Sequence, residues 1–493
     1  AEGYRAFAAN LAKNGAAIVD FAEWAEYPQQ RHGPMDMDMT HMQAFDMTDP
    51  AVHNYVSQMC EEVHFYGSKI ILTTNMVFPD GFSLYGGRGM GPMGKPTEKL
   101  PTERMHEVVE LTVAKLRRYK NLGYDGVSFR ADMLMNPGGQ RDDQYDGGTV
   151  ENRTRLFHEV CSALRKAFGR KFIIEAVLAW EQNNGYGGNA KMGGGYCEDD
   201  AIEFIRLFDD VVDILEVREH DGCASHPTGY NFTQGVHPAV EFCAKVKKMG
   251  FHMLMKPIGG FQEPDEMERY LIEGKCDMFG IARGFMADDE YGKKLYAGQG
   301  EDITPCLKCN KCHGVMLPEP DPWTSVCSVN PLMGLGHKIH RLVEKSAEPK
   351  KVAVIGGGPA GMRAAIYASQ RGHDVTLYEK SGKLGGQLFH SDYFPFKWPI
   401  KNFKNWLIYE LGKSNVKVIM NTEPTRQMIV AGGYDVVLAA TGAKVNIPNI
   451  PGLKDEAGKL KPEYMSCLDT CGREPELGKH VVIIGGSEVG IET

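Results

Sequence analysis

Four cysteines, Cys306, Cys309, Cys312 and Cys327, stand in the pattern C-x2-C-x2-C-x14-C, whereas Cys60, Cys161, Cys197, Cys223, Cys243 and Cys276 are scattered. Four thiolates at short, loop-compatible spacing bind either zinc or an iron–sulfur cluster, and the spacing alone does not choose between them. Lys308 and Lys311 lie inside the pattern and suit the negative charge such a centre carries. A second constellation, Gly356-Gly357-Gly358-Pro359-Ala360-Gly361, is a G-x-G-x-x-G between an apolar strand and a helix start. Gly356 permits the tight turn, Gly358 lets backbone approach a pyrophosphate, and Gly361 lets helix pack closely on strand. The helix N-terminus, with Ala360 in its first turn, offers unpaired N–H groups to the phosphates. Glu379, 18 residues after Gly361, ends the next strand. A carboxylate there accepts the ribose hydroxyls and disfavours a 2′-phosphate. A related turn runs from Gly485 to Gly490, with Ser487 in the middle glycine's place, where its side chain narrows the approach.

The elements that must carry these groups follow from hydrophobic periodicity. Between residues 16 and 283, β-rich apolar runs at 16–23, 69–75, 126–132, 171–178, 213–220, 252–260 and 277–283 are each followed by an amphipathic helical stretch. Alternating strands and helices predict parallel βα units, and seven of them predict an α/β fold, a (β/α)8 TIM barrel lacking its first strand. Gly259-Gly260 ends the seventh barrel strand and Ala282-Arg283 the eighth, where loop amides and a guanidinium meet a phosphate monoester. The joint LPEPDPW (317–323) and the Lys/Glu-rich stretch 338–351 mark a boundary, after which the glycine turn opens a Rossmann-like unit.

Composition narrows the partners. The chain has 493 residues, 42% hydrophobic and 24% charged, with 55 Lys plus Arg against 64 Asp plus Glu, a formal charge of −9. No global basic field exists to bind nucleic acid or an anionic membrane, so a small molecule or a protein is the natural partner. No apolar run reaches the ~18 residues of a membrane span, and AEGYRAFAANLAKNG lacks signal-peptide character, which predicts a cytoplasmic location. The chain begins without Met and ends at IIGGSEVGIET, inside what reads as the opening turn of a nucleotide unit, so a fragment truncated at both ends is expected.

Set in order, ENRTRLF (151–157), CDMFGIARGFMADDE (276–290), PCLKCNKC (305–312), VAVIGGGPAG (352–361) and GKLGGQL (382–388) resemble one family across essentially the whole chain. It is the fused flavoprotein family of 2,4-dienoyl-CoA reductases, enoate reductases and trimethylamine dehydrogenase, with an Old Yellow Enzyme-type barrel. The resemblance implies an FMN barrel at 1–300, a four-cysteine [4Fe–4S] segment at 301–345, an FAD domain at 346–478 and the start of an NAD(P)H domain at 479–493. It implies FMN phosphate at Gly259, Gly260, Ala282 and Arg283, with Thr73 where relatives place a flavin-facing Gln. It further implies FAD at Gly356, Gly358, Ala360, Gly361, Glu379, Gly386 and Gln387, NAD(P)H at Gly485 and Gly490, and the cluster on the four cysteines. The segment 434–442 (YDVVLAATG) resembles a further FAD contact.

The barrel's substrate face departs from that family. Strand four reads VSFRADMLMN, placing Arg130 and Asp132 where relatives have a His-rich strand followed by a Tyr; strand five (FIIEAVL) offers no Arg, a charge Arg218 or Lys256 could replace; and RDDQYDGGT has one extra residue. Arg130 is a candidate to polarise a carbonyl, Asp132 to pair with it, and His220 or His226 to assist or donate a proton. A loop-packing or solvent-facing role is as ready an account of each His. The expected activity is NAD(P)H-dependent reduction of an activated C=C bond in a small unsaturated carbonyl compound, with electrons passing from NAD(P)H through FAD and the cluster to FMN. Homo-oligomerisation is left open. The rival expectations are amine dehydrogenation and an electron-transfer partner whose barrel site has degenerated.

Overall fold

The structure, a computed structural model, describes residues 2–22, 49–83, 95–96, 99–135, 141, 143–145, 148–180, 196–218, 237–309, 311–312, 326–335, 343–473, 477–486 and 490–491. It divides into two compact units, 1–340 and 341–493.

In the first unit, α1 (Glu2–Lys13), β1 (Ile18–Ala22), α2 (Pro50–Phe65) and β2 (Lys69–Thr74) begin the strand–helix alternation. After the two-residue strands β3 (Phe82–Ser83) and β4 (Lys95–Pro96) it continues through α3 (Met105–Asn121), β5 (Gly126–Arg130), α4 (Asp132–Met135), α5 (Val150–Phe168) and β6 (Ile173–Ala179). Then come α6 (Glu198–Phe208), β7 (Ile214–Arg218), α7 (Pro238–Lys247), β8 (Leu254–Ile258), α8 (Pro264–Ile272), α9 (Arg283–Ala287) and α10 (Tyr291–Tyr296). The long strands form one parallel sheet in the order β1-β2-β5-β6-β7-β8, the curled wall of a TIM barrel. Six of the seven expected strands are therefore present. The remaining run, at 277–283, is not a strand: it contributes a single parallel bridge, Ile258 to Gly280. A Cβ on Gly280 would stand 2.9 Å from the Ile258 side chain, so the close approach of the two segments requires glycine.

A repeated aspartate sets the register. Asp125, Asp213 and Asp277, each just before or at the start of a βα unit, accept from the amides of Ile70 (3.0 Å), Ile174 (2.8 Å) and Met255 (2.8 Å) on the preceding strand. The bond from Asp277 keeps 277–283 in a strand's position although it lacks a strand's ladder. Apolar side chains from the sheet and from α3, α5, α6 and α7 make one continuous core, including Phe157, Phe204, Phe208, Val127, Ile174 and Leu215.

The second unit has β9 (Lys351–Ile355), α11 (Pro359–Gln370), β10 (Asp374–Tyr378), α12 (Trp398–Lys413), β11 (Lys417–Ile419), α13 (Arg426–Ala431) and β12 (Val436–Ala439). Its sheet is parallel, in the order β11-β10-β9-β12. The central strands read as apolar runs because both faces are covered, with Val352, Val354 and Leu377 packed against Met362, Ile366 and Leu407. The apolar run from His480 that leads into the second glycine turn forms no strand. A strand needs a neighbour to bond, none among the described residues pairs with it, and Val481 to Ile484 lie exposed.

Candidate functional site

In the second unit, β9 delivers the glycine turn to the N-terminus of α11. Gly356 sits at φ 111°, and a Cβ on Gly361 would fall 1.9 Å from the Gly356 carbonyl oxygen, so helix and strand meet at a distance only glycine allows. A Cβ on Gly358 would meet only the Gly386 Cα, at 3.8 Å, and Ala360 in the first helical turn is exposed; the face a pyrophosphate would approach is open. The later turn repeats this geometry, with Gly485 at φ 113° and a Cβ on Gly490 falling 2.0 Å from the Gly485 oxygen. Ser487 lies outside the described residues.

The two further sequence segments converge on this turn. The Gly385 amide donates to the Gly357 carbonyl (2.9 Å), Gly386 opens the short helix Gly386–Asp392, and Gln387 Nε2 donates to the Ala443 carbonyl (2.9 Å) just beyond β12. Glu379, after β10, accepts from the Gly357 amide (2.7 Å) and the Ser381 amide (2.8 Å), one to each oxygen. Burial pushes its carboxyl up, but these amide bonds prevail and hold it below the ordinary range. Each oxygen keeps a lone pair for a ribose hydroxyl. The loop thus pre-organises the acid that the sequence placed there, and the cradle fits a dinucleotide.

In the first unit, the loops after β8 and at α9 build a second cradle. Gly259 and Gly260 take φ 133° and 69°, Ala282 caps α9, and Arg283 is its first residue. Cys306, Cys309, Cys312 and Cys327 line one pocket together with Arg283, Met286 and Val329. Arg283 therefore reaches the cysteines as well as the end of the phosphate arm. Burial pulls its guanidinium below its ordinary value, and the facing sulfurs of Cys306, Cys312 and Cys309 oppose that. Burial likewise pushes the thiols of Cys306 and Cys312 up, the latter to about 11. A bound metal would replace those protons, since the thiolate is the ligand form. The segment is pinned on both sides. The Cys306 amide donates to Gln262 Oε1 (2.9 Å), Thr304 N to Asp288 Oδ2 (2.8 Å), and Asn330 Nδ2 to Met286 O (3.0 Å) and Asp289 Oδ1 (3.1 Å). Lys308, buried at φ 55°, has its ammonium driven down to about 8 by burial, against the pull of Glu263. Four convergent thiols flanked by cations fit a cluster of net negative charge.

The barrel interior holds the feature that motif reading missed. Asp20 of β1, Glu175 of β6 and Glu216 of β7 bring carboxylate oxygens within 4.8 Å of one another. The cation they surround is Lys256 of β8, whose Nζ lies 2.6 Å from Glu175 Oε2 and 2.9 Å from Glu216 Oε2. Arg218 adds a second cation, 2.9 Å from Glu216 Oε1. Ser128 Oγ donates to Glu175 (2.8 Å), and the Thr73 hydroxyl donates to Asp20. Desolvation raises the Glu175 carboxyl to about 7 despite Lys256, whereas two adjacent cations overcome burial and hold Glu216 at about 2. Desolvation also raises Asp20, which keeps an accessible face in the barrel. The available signal was a charged residue in the middle of an otherwise apolar, doubly covered strand: FIIEAVL, DILEVRE and MLMKPI. Of the expected catalytic residues, Arg130 ends β5, half-buried, and Asp132 opens α4. His220 and His226 lie outside the described residues. The departing RDDQYDGGT segment is anchored by Arg141, which donates to Leu100 O (2.5 Å) and pairs with Asp143.

Residues 103–301 match the NADH:flavin oxidoreductase / NADH oxidase family, and residues 350–493 match the pyridine nucleotide-disulphide oxidoreductase family. These two matches support a flavin-oxidoreductase barrel of the Old Yellow Enzyme type followed by a flavin/NADH unit. This fused flavoprotein is 28% identical over 486 residues to an NADH oxidase of Thermoanaerobacter brockii, covering 95% of this chain and 71% of that one. It is 28% identical over 466 residues to a cinnamate reductase of Clostridium sporogenes, covering 89% and 67%. Its fold is that of a 2-naphthoyl-CoA reductase solved with 2-naphthoyl-CoA, at TM-score 0.79 and 22% identity over 100% of this chain and 75% of that one. The first family implies FMN for the barrel unit, and the second implies FAD with NAD(P)H for the second unit. Among its described residues, no helix is long and apolar enough to cross a membrane.

Proposed function

We propose that the chain is an NAD(P)H-dependent reductase of an activated C=C bond in a small unsaturated carbonyl compound, the cinnamate-type chemistry named among its relatives. The observation that carries this reading is the shared wall of two cradles in the barrel unit. Arg283 follows Ala282 at the end of the phosphate arm and also lines the four-cysteine pocket, which gives an electron relay a place beside the flavin. Bound in these cradles, the flavins would supply hydride chemistry and the cluster one-electron transfer. The chain's own residues supply position and charge. Gly259, Gly260, Ala282 and Arg283 hold the FMN phosphate, and Cys306, Cys309, Cys312 and Cys327 hold the cluster. Gly356, Gly358, Ala360, Gly361, Glu379, Gly386 and Gln387 hold FAD, and Gly485 and Gly490 hold NAD(P)H. Thr73, near the end of β2, donates to Asp20 in the middle of β1 and contributes to the flavin side of the barrel. Arg130, at the last position of β5, polarises the substrate carbonyl as enolate charge gathers on it, with Asp132 beside it and His220 or His226 donating the proton.

Anaerobic reconstitution of the full-length protein, with visible spectra and quantitation of iron, sulfide and flavin, tests the cofactor set. NAD(P)H oxidation on addition of a panel of conjugated carbonyl compounds then tests the chemistry. Zinc in place of iron, or no FMN, would overturn the electron path. Turnover of secondary and tertiary amines with none of the enones would replace reduction by amine dehydrogenation.

A further inference from the structure

Both arms of the flavin-phosphate cradle end at the cysteine pocket, and one of them does so through a side chain that no motif singles out. Gly259 and Gly260 have left-handed φ values of 133° and 69°, which fix the course of the loop leaving β8. Phe261 is then locked by packing, its ring 4.5 Å from that of His237 and 4.8 Å from that of Phe279. Gln262, buried next to it, makes three bonds. Its Oε1 accepts from the Cys306 amide (2.9 Å), its Nε2 donates to Glu263 Oε1 (3.1 Å), and its carbonyl accepts from the fully buried Tyr291 hydroxyl (3.3 Å). Only Phe261 separates Gly260 from Gln262, whose side chain holds the amide of the first cluster ligand, and both are fixed by packing or hydrogen bonds. Asn330, by contrast, holds the Cys327 side of the pocket through Met286 of α9 and through Asp289, and so bonds the α9 arm rather than the loop leaving β8.

We infer that Gln262 is a positioning residue that couples the two cofactor sites, so that ordering of the phosphate loop by FMN and ordering of the Cys306 ligand by the cluster favour each other. The inference rests on the cofactor assignment above. A phosphate on the Gly259–Gly260 amides selects the loop conformation that presents Gln262 Oε1 to Cys306, and a cluster on Cys306 selects the same conformation from the other side. Such coupling is reciprocal, with a typical size of about 5- to 150-fold in affinity. Replacing Gln262 by Leu removes the acceptor, whereas Gln262→Glu keeps an oxygen for the Cys306 amide.

The test titrates FMN into the full-length protein, freed of FMN but holding FAD, in two forms: with the iron–sulfur centre reconstituted and with iron removed by chelation. The native protein should bind FMN at least about 5-fold more tightly in the first form. Gln262→Leu should bring that ratio to near one while keeping iron and FAD, and Gln262→Glu and Asn330→Ala should retain it. In the native protein alone, FMN should slow iron loss to the chelator; this readout stands even if Gln262→Leu fails to fold. A native ratio of one, a native ratio kept in Gln262→Leu, or an equal loss in Asn330→Ala would each overturn the inference. A reconstituted native protein that takes up no iron or no FMN overturns the cofactor assignment itself, an outcome distinct from full loading with a ratio of one.

Discussion

Replacing Lys256 by Met should destabilise the barrel unit substantially, and the size follows from its surroundings. The ammonium lies 2.6 Å and 2.9 Å from two buried carboxylates. At an effective dielectric constant of about 20, each contact represents attraction of about 6 kcal/mol, of which desolvation of the three ions cancels a large part. Removing Lys256 forfeits the attraction and leaves Glu175 and Glu216 buried with only Arg218 beside Glu216, an imbalance that costs about 3–5 kcal/mol. For a unit of this size that corresponds to the lower part of a roughly 6–20 °C fall in Tm. Differential scanning calorimetry of native, Lys256→Met, Glu175→Gln and double-variant proteins forms a double-mutant cycle. The double variant should be less destabilised than the sum of the single variants, by about 0.5–3 kcal/mol, because neutralising Glu175 removes one stranded charge. A Lys256→Met protein within about 1 kcal/mol of native, or strict additivity, would show that the cluster is not held together by this cation.

Three further outcomes follow from the same geometry. Because the Glu175 carboxyl is raised from 4.5 to about 7, the folded state keeps a proton that the unfolded state has released. This contribution is whole below about pH 4.5 and is lost as pH rises toward 7, by about 3 kcal/mol at 1.36 kcal/mol per unit. Glu216, held at about 2, acts only below that window, so Glu175→Gln should flatten Tm between pH 5 and 7; a variant with the native slope assigns the titration elsewhere. Gly361→Ala would place a Cβ 1.9 Å from the Gly356 oxygen, and should cut FAD content while leaving FMN and iron unchanged in the purified protein. Cys312→Ala should lose most of the iron and sulfide and the associated visible absorbance while retaining FAD; full iron content would remove Cys312 from the ligand set.

Local pattern made much of this protein legible. The glycine turn at 356–361, its acid at Glu379 and the four cysteines are short-range constellations, whose chemistry depends on spacing within one loop or one βα unit, and six barrel strands announce themselves by apolar periodicity. What lay beyond reach of the linear pattern depends on neighbours. The segments 277–283 and 480–486 have strand-like composition, yet a strand exists only where another backbone supplies its hydrogen bonds, so the first keeps one bridge and the second none among the described residues. The cluster of Asp20, Glu175, Glu216 and Lys256 joins four strands spread across more than 230 positions, and no single strand reveals that its charged residue has partners. Gln262 likewise reads as an ordinary loop amide until folding brings Cys306, 44 positions away, within hydrogen-bond reach. The sequence by itself determined which cofactor-sized cradles the chain carries, because a turn's geometry is local. Only the tertiary structure decided how charges balance inside the barrel and which loop side chain bonds the cysteine segment, because those energies depend on burial and distance across the fold.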